Sequence, residues 1–231
     1  MQQLIETVLL SNKCSLTKLN LSRQILDESN VDSLALYVRS SSKLHDLSLA
    51  HSKLGDIFGS KLLLAWLWTS IPRGSLSLSG NLLGPALFSL ALEELEDCRQ
   101  LSSLGASPEE LSLPLTCGSL DLSHNLLTDQ ALGVSMPALF ARRRLTLQGT
   151  LDLSHNPLLG RPSMAFLRQI LEEERPSITG LIDLSENSMS IRKAASILEM
   201  RSNQNSRVHV IYSREEEKGN KEGKKKKKFK E

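Results

Sequence analysis

The sequence predicts an α/β fold: a solenoid of six to seven strand–helix repeats, with a parallel sheet on its concave side and helices on its convex side. Three observations carry this. The stretch Leu120-Asp121-Leu122-Ser123-His124-Asn125 returns unchanged from Leu151 to Asn156 and nearly unchanged from Ile182 to Asn187. These copies recur every 31 residues, and self-similarity at a fixed period marks a repeat architecture. The intervening sequence carries apolar residues at helical spacing, and a step near 30 leaves room for a full helix.

Taken in order, residues 1–13 are expected to form an N-terminal capping helix, with Leu4 and Val8 covering the open end of the stack. Residues 14–213 make up the solenoid. Its first two repeats read Leu16-x-x-Leu19-x-Leu21-x-x-Gln24-x-Leu26 and Leu44-x-x-Leu47-x-Leu49-x-x-Ser52-x-Leu54. The third runs from Gly74 through Leu76 and Leu78 to Asn81, the next three begin at Leu120, Leu151 and Ile182, and a degenerate seventh, Val208 to Tyr212, closes the sheet. With Leu19, Leu47, Leu76, Leu120, Leu151, Ile182 and Val208 as equivalents, the steps are 28, 29, 44, 31, 31 and 26 residues. The long step holds an inserted loop at about 98–117, rich in Ser, Gly and Pro.

Helices are expected where Val31, Leu34, Ala35 and Val38, the segment Met164 to Leu171, and Ile191, Ala194, Ala195 and Leu198 keep the helical period. Pro85 and Pro162 suit a first helical turn. Pro137 falls inside the fourth helix window, so that helix should be broken or start late, capped by Ser135. Gly74, Gly118, Gly149 and Gly180 precede their strand leucines by two residues, where a positive φ would turn the chain into the strand. Trp66 and Trp68 divide between core and convex surface.

Residues 214–231 form a disordered Lys-rich tail, because they cannot bury enough apolar surface to fold. It carries nine basic and five acidic side chains, net +4, which leaves −2 for the rest of a chain whose total is +2. The functional reading is an import signal or a contact with an anionic surface through Lys224, Lys225, Lys226, Lys227, Lys228 and Lys230; the plain one is a solubilising end. No apolar run approaches the ~20 residues of a membrane span, and no basic residue precedes the apolar part of Met1 to Leu10, as a secretory signal requires. Three widely spaced cysteines suit a reduced compartment, so the protein is expected inside the cell, in the cytoplasm or the nucleus.

Inside each repeat the leucines face the sheet–helix interior, worth roughly 1.5–3 kcal/mol each. Asn81, Asn125, Asn156 and Asn187 stand where the chain leaves the strand, and their amides suit a structural ladder joining successive turns. Function falls to the outward residues. Asn20, Ser48, Ser77, Asp121, Asp152 and Asp183 share one column, and parallel neighbours ~4.8 Å apart make the three aspartates an acidic stripe for a basic partner. Their mutual repulsion is about 1 kcal/mol per solvated pair. The next column holds Arg23, His51, Gly80, His124, His155 and Glu186, with His124 beside His155. Partner contact is thus assigned to Asp121, Asp152, Asp183, His124, His155 and Glu186. No third ligand at fixed spacing points to a metal, no cofactor motif occurs, and parallel columns do not converge on a nucleophile. Aromatic residues make up 4 % of the chain and none is at an exposed strand position, so the face suits charged rather than greasy contacts.

These residues together resemble the ribonuclease-inhibitor-like class of leucine-rich-repeat proteins over roughly residues 14–212, with Gln24 and Ser52 where Asn is usual. The resemblance implies a horseshoe that binds a protein on its concave face as a non-enzymatic scaffold or adaptor. It also brings in an alternative, because the class includes GTPase activators of the Ran type; these imply a functional Arg or Asn on an early repeat loop, and Arg23 is the matching residue. A further alternative is a nuclear, nucleic-acid-associated protein working through the tail. Because the ends of a solenoid need polar caps, the thin N-terminal cap also suits a piece or short form of a longer one.

Overall fold

The computed structural model describes residues 15–68, 73–100, 115–143, 145–156, 178–187 and 209–211. Strands β1 (Lys18–Asn20), β2 (Asp46–Ser48), β3 (Arg73–Ser77), β4 (Leu115–Asp121), β5 (Leu145–Leu147), β6 (Thr150–Asp152), β7 (Leu181–Asp183) and β8 (His209–Ile211) form one sheet. Its order is β1-β2-β3-β4-β6-β7-β8, with β5 also paired to β4, and every pairing is parallel. Parallel neighbours need crossover connections. Helices α1 (Glu28–Ser40), α2 (Gly55–Trp66) and α3 (Leu87–Gln100) supply the first three, and a π-helical turn, Ala131–Ser135, leads into α4 (Met136–Arg143) in the fourth. Among the described residues, no helix is long and apolar enough to cross a membrane.

Register follows the leucine repeat. Leu19 pairs with Leu47, Leu47 with Leu76, Leu76 with Leu120, Leu120 with Leu151, and Leu151 with Ile182. Leu47, Leu76, Leu120, Leu151 and Ile182 are buried, while the residues flanking them on the opposite face remain partly exposed. The last pairing corrects the expected one: Ile182 meets Val210, because it is Val210 that turns inward, whereas Val208 lies outside the described residues.

Helix α1 forms where the apolar period placed it. Asp27 caps α1 by accepting the Asn30 N–H at 2.9 Å, and Val31, Leu34, Ala35 and Val38 are buried. Helix α2 buries every residue from Leu62 to Trp66, while Trp68 lies half-buried beneath the Arg39 guanidinium, 3.6 Å from the ring centroid. Asp56 accepts the N–H groups of Gly84 and Ala86, and Leu90 donates to Ala86. Pro85 therefore stands just outside α3, not in its first turn. Pro137 does not break its helix. The π turn precedes it, with Met136 donating to Ala131, so the widened turn makes room for the proline ring and Ser135 sits inside that turn, not at a cap.

The glycine expectation also needs correction. None of Gly74, Gly118, Gly149 and Gly180 has a positive φ. They answer to crowding: a Cβ on Gly118 would lie 2.7 Å from the Gly74 carbonyl oxygen, and one on Gly149 or Gly180 would meet the preceding glycine's carbonyl more closely still. Cys117 pairs with Leu147 and Leu120 with Leu151, so the β5–β6 stretch carries one residue more than β4 between the same partners. That bulge, at Gln148–Gly149, explains why β5 and β6 are separate strands. The inserted loop is shorter than 98–117, since α3 reaches Gln100 and β4 starts at Leu115. The N-terminal capping helix, the helices expected around Met164 and Ile191, and the Lys tail lie outside the described residues.

Candidate interaction face

Asp121, Asp152 and Asp183 are brought side by side by the β4–β6–β7 register, in line with Ser77, Ser48 and Asn20. Their side chains do more than point outward. Asp121 Oδ1 accepts the Ser123 N–H at 3.0 Å and the Ser123 hydroxyl at 2.7 Å, and its Oδ2 accepts the Ser77 hydroxyl at 2.7 Å. Asp152 Oδ1 accepts the Ser154 N–H at 2.9 Å, and Asp183 Oδ1 the Ser185 N–H at 2.8 Å. Each is an Asx turn, in which the carboxylate stands in for a backbone carbonyl as the chain leaves the strand. Asn20 makes the same bond to Ser22 at 2.9 Å without a charge. The turn therefore needs the acceptor, not the negative charge.

Below the aspartates lies the asparagine ladder. Asn125 Nδ2 donates to the carbonyls of Leu78, Leu122 and Ser123, and its Oδ1 accepts the N–H groups of Asn81 at 2.9 Å and Leu83 at 3.0 Å. Asn81 serves Leu49, Ser52 and Leu54 in the same way, Asn156 serves Leu122 and Leu127, and Asn187 serves Leu153 and the Asn156 N–H. All four are buried. Where Ser52 replaces Asn, its hydroxyl reaches only the Leu21 carbonyl at 3.3 Å and that of Ala50 at 3.5 Å.

Arg23, His51, Gly80, His124, His155 and Glu186 all have left-handed backbone, with φ between 53° and 66°. Non-glycine residues tolerate that region at a cost, so the turn itself decides this column. His124 and His155 are exposed, and their rings stack with centroids 4.0 Å apart and an interplanar angle of 11°. Arg23 is also exposed and differs from the others in the column only in its side chain.

One charged cluster went unread in the sequence. On the same sheet face, Asp46 accepts the Ser75 N–H and hydroxyl, both at 2.9 Å, meets Lys18 Nζ at 3.1 Å and His45 Nδ1 at 3.0 Å. Burial alone would push its carboxyl up, but these donors outweigh it and hold the group well below the usual carboxylate range. The only signal for it was a glycine at 74, which leaves space for the His45 ring and the Asp46 carboxylate. On the helix side, Asp32, Arg39, Lys61, Trp68 and Glu94 line a cleft of about 200 Å³. Lys61 pairs with Asp32, which raises its ammonium, and burial raises Glu94 against the pull of Lys61 and Arg39.

Chemically, the sheet face presents ordered acceptors and charge. The Lys tail, the remaining element assigned to contact, lies outside them. No protein-family model matches the chain, and no curated protein matches it.

Proposed function

We propose that the chain is a non-enzymatic leucine-rich-repeat interaction module that holds a basic segment of a protein partner against its sheet face. The observation that carries this reading is the registered acidic column. Asp152 and Asp183 each spend Oδ1 on their own turn, which leaves Oδ2 without a hydrogen bond among the described residues. Asp121, with both oxygens already accepting, contributes charge more than a free acceptor atom. A row of fixed carboxylates steers cationic partners and sets their register. His124, His155 and Glu186 border the contact.

The test removes the charge and keeps the turn. A triple replacement, Asp121→Asn, Asp152→Asn and Asp183→Asn, reproduces what Asn20 already does. Proximity labelling in cells should lose a defined set of neighbours with this variant, while its thermal unfolding stays close to wild type. An unchanged neighbour set overturns the proposal.

A further inference from the structure

We propose that the cleft on the helix side binds a small zwitterion, a free amino acid with an apolar side chain, whose carboxylate meets Arg39 and whose ammonium meets Glu94. Two contacts between the α1 and α2 segments frame this cleft: Asp32 pairs with Lys61, and the Arg39 guanidinium lies 3.6 Å from the centre of the Trp68 ring. Asp32 and Arg39 are two turns apart on α1, about 10 Å along its axis. Between these contacts the floor consists of Ala35, Leu64 and Ala65, all buried. The alanines have no atoms beyond Cβ, which leaves the slot open. Its volume of about 200 Å³ is below the ~300–1,000 Å³ of sites for drug-sized ligands, so the occupant is of amino-acid size.

The charges in the cleft select its ligand. Lys61 and Asp32 answer each other, whereas Arg39 and Glu94 attract one another without forming an ion pair, and neither has one with any other described residue. Stacking on Trp68 uses the face of the Arg39 guanidinium. Its N–H donors lie in the plane of the group and stay available, in the fork that matches a carboxylate. Glu94 is half-buried, and burial raises its carboxyl against the pull of the cations around it. A ligand with both charges answers both groups at once, while one with a single charge leaves the other group unpaired. The alanine and leucine floor, with Leu36 exposed at the rim, offers apolar surface to the rest of the molecule.

The experiment titrates the full chain with three probes: leucine, 4-methylpentanoate, which lacks the ammonium, and 3-methylbutylamine, which lacks the carboxylate. Saturation-transfer NMR on the probe methyls reads binding. Tryptophan emission reads the ring under Arg39, since Trp66, the only other tryptophan, is buried. Leucine should bind saturably and at least about tenfold tighter than either singly charged probe. Glu94→Gln should remove its advantage over 4-methylpentanoate, and Arg39→Gln its advantage over 3-methylbutylamine. Equal affinity of the wild type for the three probes, absence of saturable leucine binding, or wild-type selectivity in both variants overturns the assignment. The comparison of probes on the wild type needs no variant, and circular dichroism of each variant separates loss of the site from loss of fold.

Discussion

Asn125 and Asn81 stand 44 residues apart in sequence, yet the Asn125 side-chain oxygen accepts the Asn81 backbone N–H at 2.9 Å. The longest step in the chain therefore ends in the same bond as the shorter ones. Asn156 N–H to Asn187 Oδ1, across 31 residues, is 2.7 Å. The ladder depends on register and is indifferent to the length of chain between its rungs.

Asn125→Ala strips three carbonyls of a donor and two buried N–H groups of an acceptor. Leaving several buried groups unsatisfied should cost at least about 3 kcal/mol. For a chain of this size that lowers Tm by about 6–12 °C, measurable by calorimetry. Asn125→Ser should fall between the two, as Ser52 keeps only part of the network. A Tm within 2 °C of wild type for Asn125→Ala, with that ~2 °C set by ordinary surface substitutions, would remove the ladder's claim to stability.

At the acidic column, the structure separates shape from charge. Asp152→Asn retains the acceptor for the Ser154 N–H and should change stability by less than about 0.5 kcal/mol, whereas Asp152→Ala should cost about 1 kcal/mol. Chemical denaturation of both variants decides it. Equal loss from the two would mean that the charge, not the turn bond, is what matters to the fold.

Gly149→Ala places a Cβ against the Gly118 carbonyl and the Ser119 hydroxyl. Neither strand can retreat without opening the ladder, so a cost of about 1–3 kcal/mol is expected. Because Gly149 lacks a positive φ, the loss should be as large for Ser as for Ala. A neutral Gly149→Ala would show that the strands can separate at the bulge.

Acid should reveal Asp46. Its carboxyl is held below the ordinary range in the folded protein, so its ionised form stabilises the fold above about pH 4, and that contribution is lost as pH falls further. Asp46→Asn lacks the titration. The stability gap between wild type and Asp46→Asn should therefore shrink on acidification from neutral pH, read from urea midpoints at several pH values.

Glu94 has the opposite sign. Burial raises its carboxyl, so ionisation at neutral pH works against the fold, and the penalty disappears once the group is protonated at low pH. Glu94→Gln should raise Tm at pH 7 and match wild type near pH 4. A variant less stable than wild type at pH 7 would indicate that the attraction of Lys61 and Arg39 prevails over burial.

The leucine period and the repeated Asn made the parallel register, the buried face and the ladder legible before any coordinates. The aspartates were placed in the right column, but their bond to their own turn was missed, because an Asx turn is a relation between a side chain and the backbone two residues on, which looks the same in sequence as an outward charge. Gly118 and Gly149 were read through φ because φ is a property of one residue. Their actual constraint comes from the glycine of the preceding strand, distant in sequence. Asp46 escaped notice for a similar reason: its partners Lys18 and Ser75 belong to the two neighbouring repeats. Pro137 was read as a breaker, and the π turn before it, which no local sequence rule announces, is how the helix runs on through it.

The asparagine ladder also has a direction. Asn81 satisfies the backbone of the Ser52 turn, Asn125 that of the Asn81 turn, Asn156 the Leu127 N–H, and Asn187 the Asn156 N–H. Each turn is thus completed by the one that follows it. During synthesis, which delivers the N-terminal end first, no turn can close its polar account until the next has left the ribosome, and the chain must wait one repeat behind its own emergence.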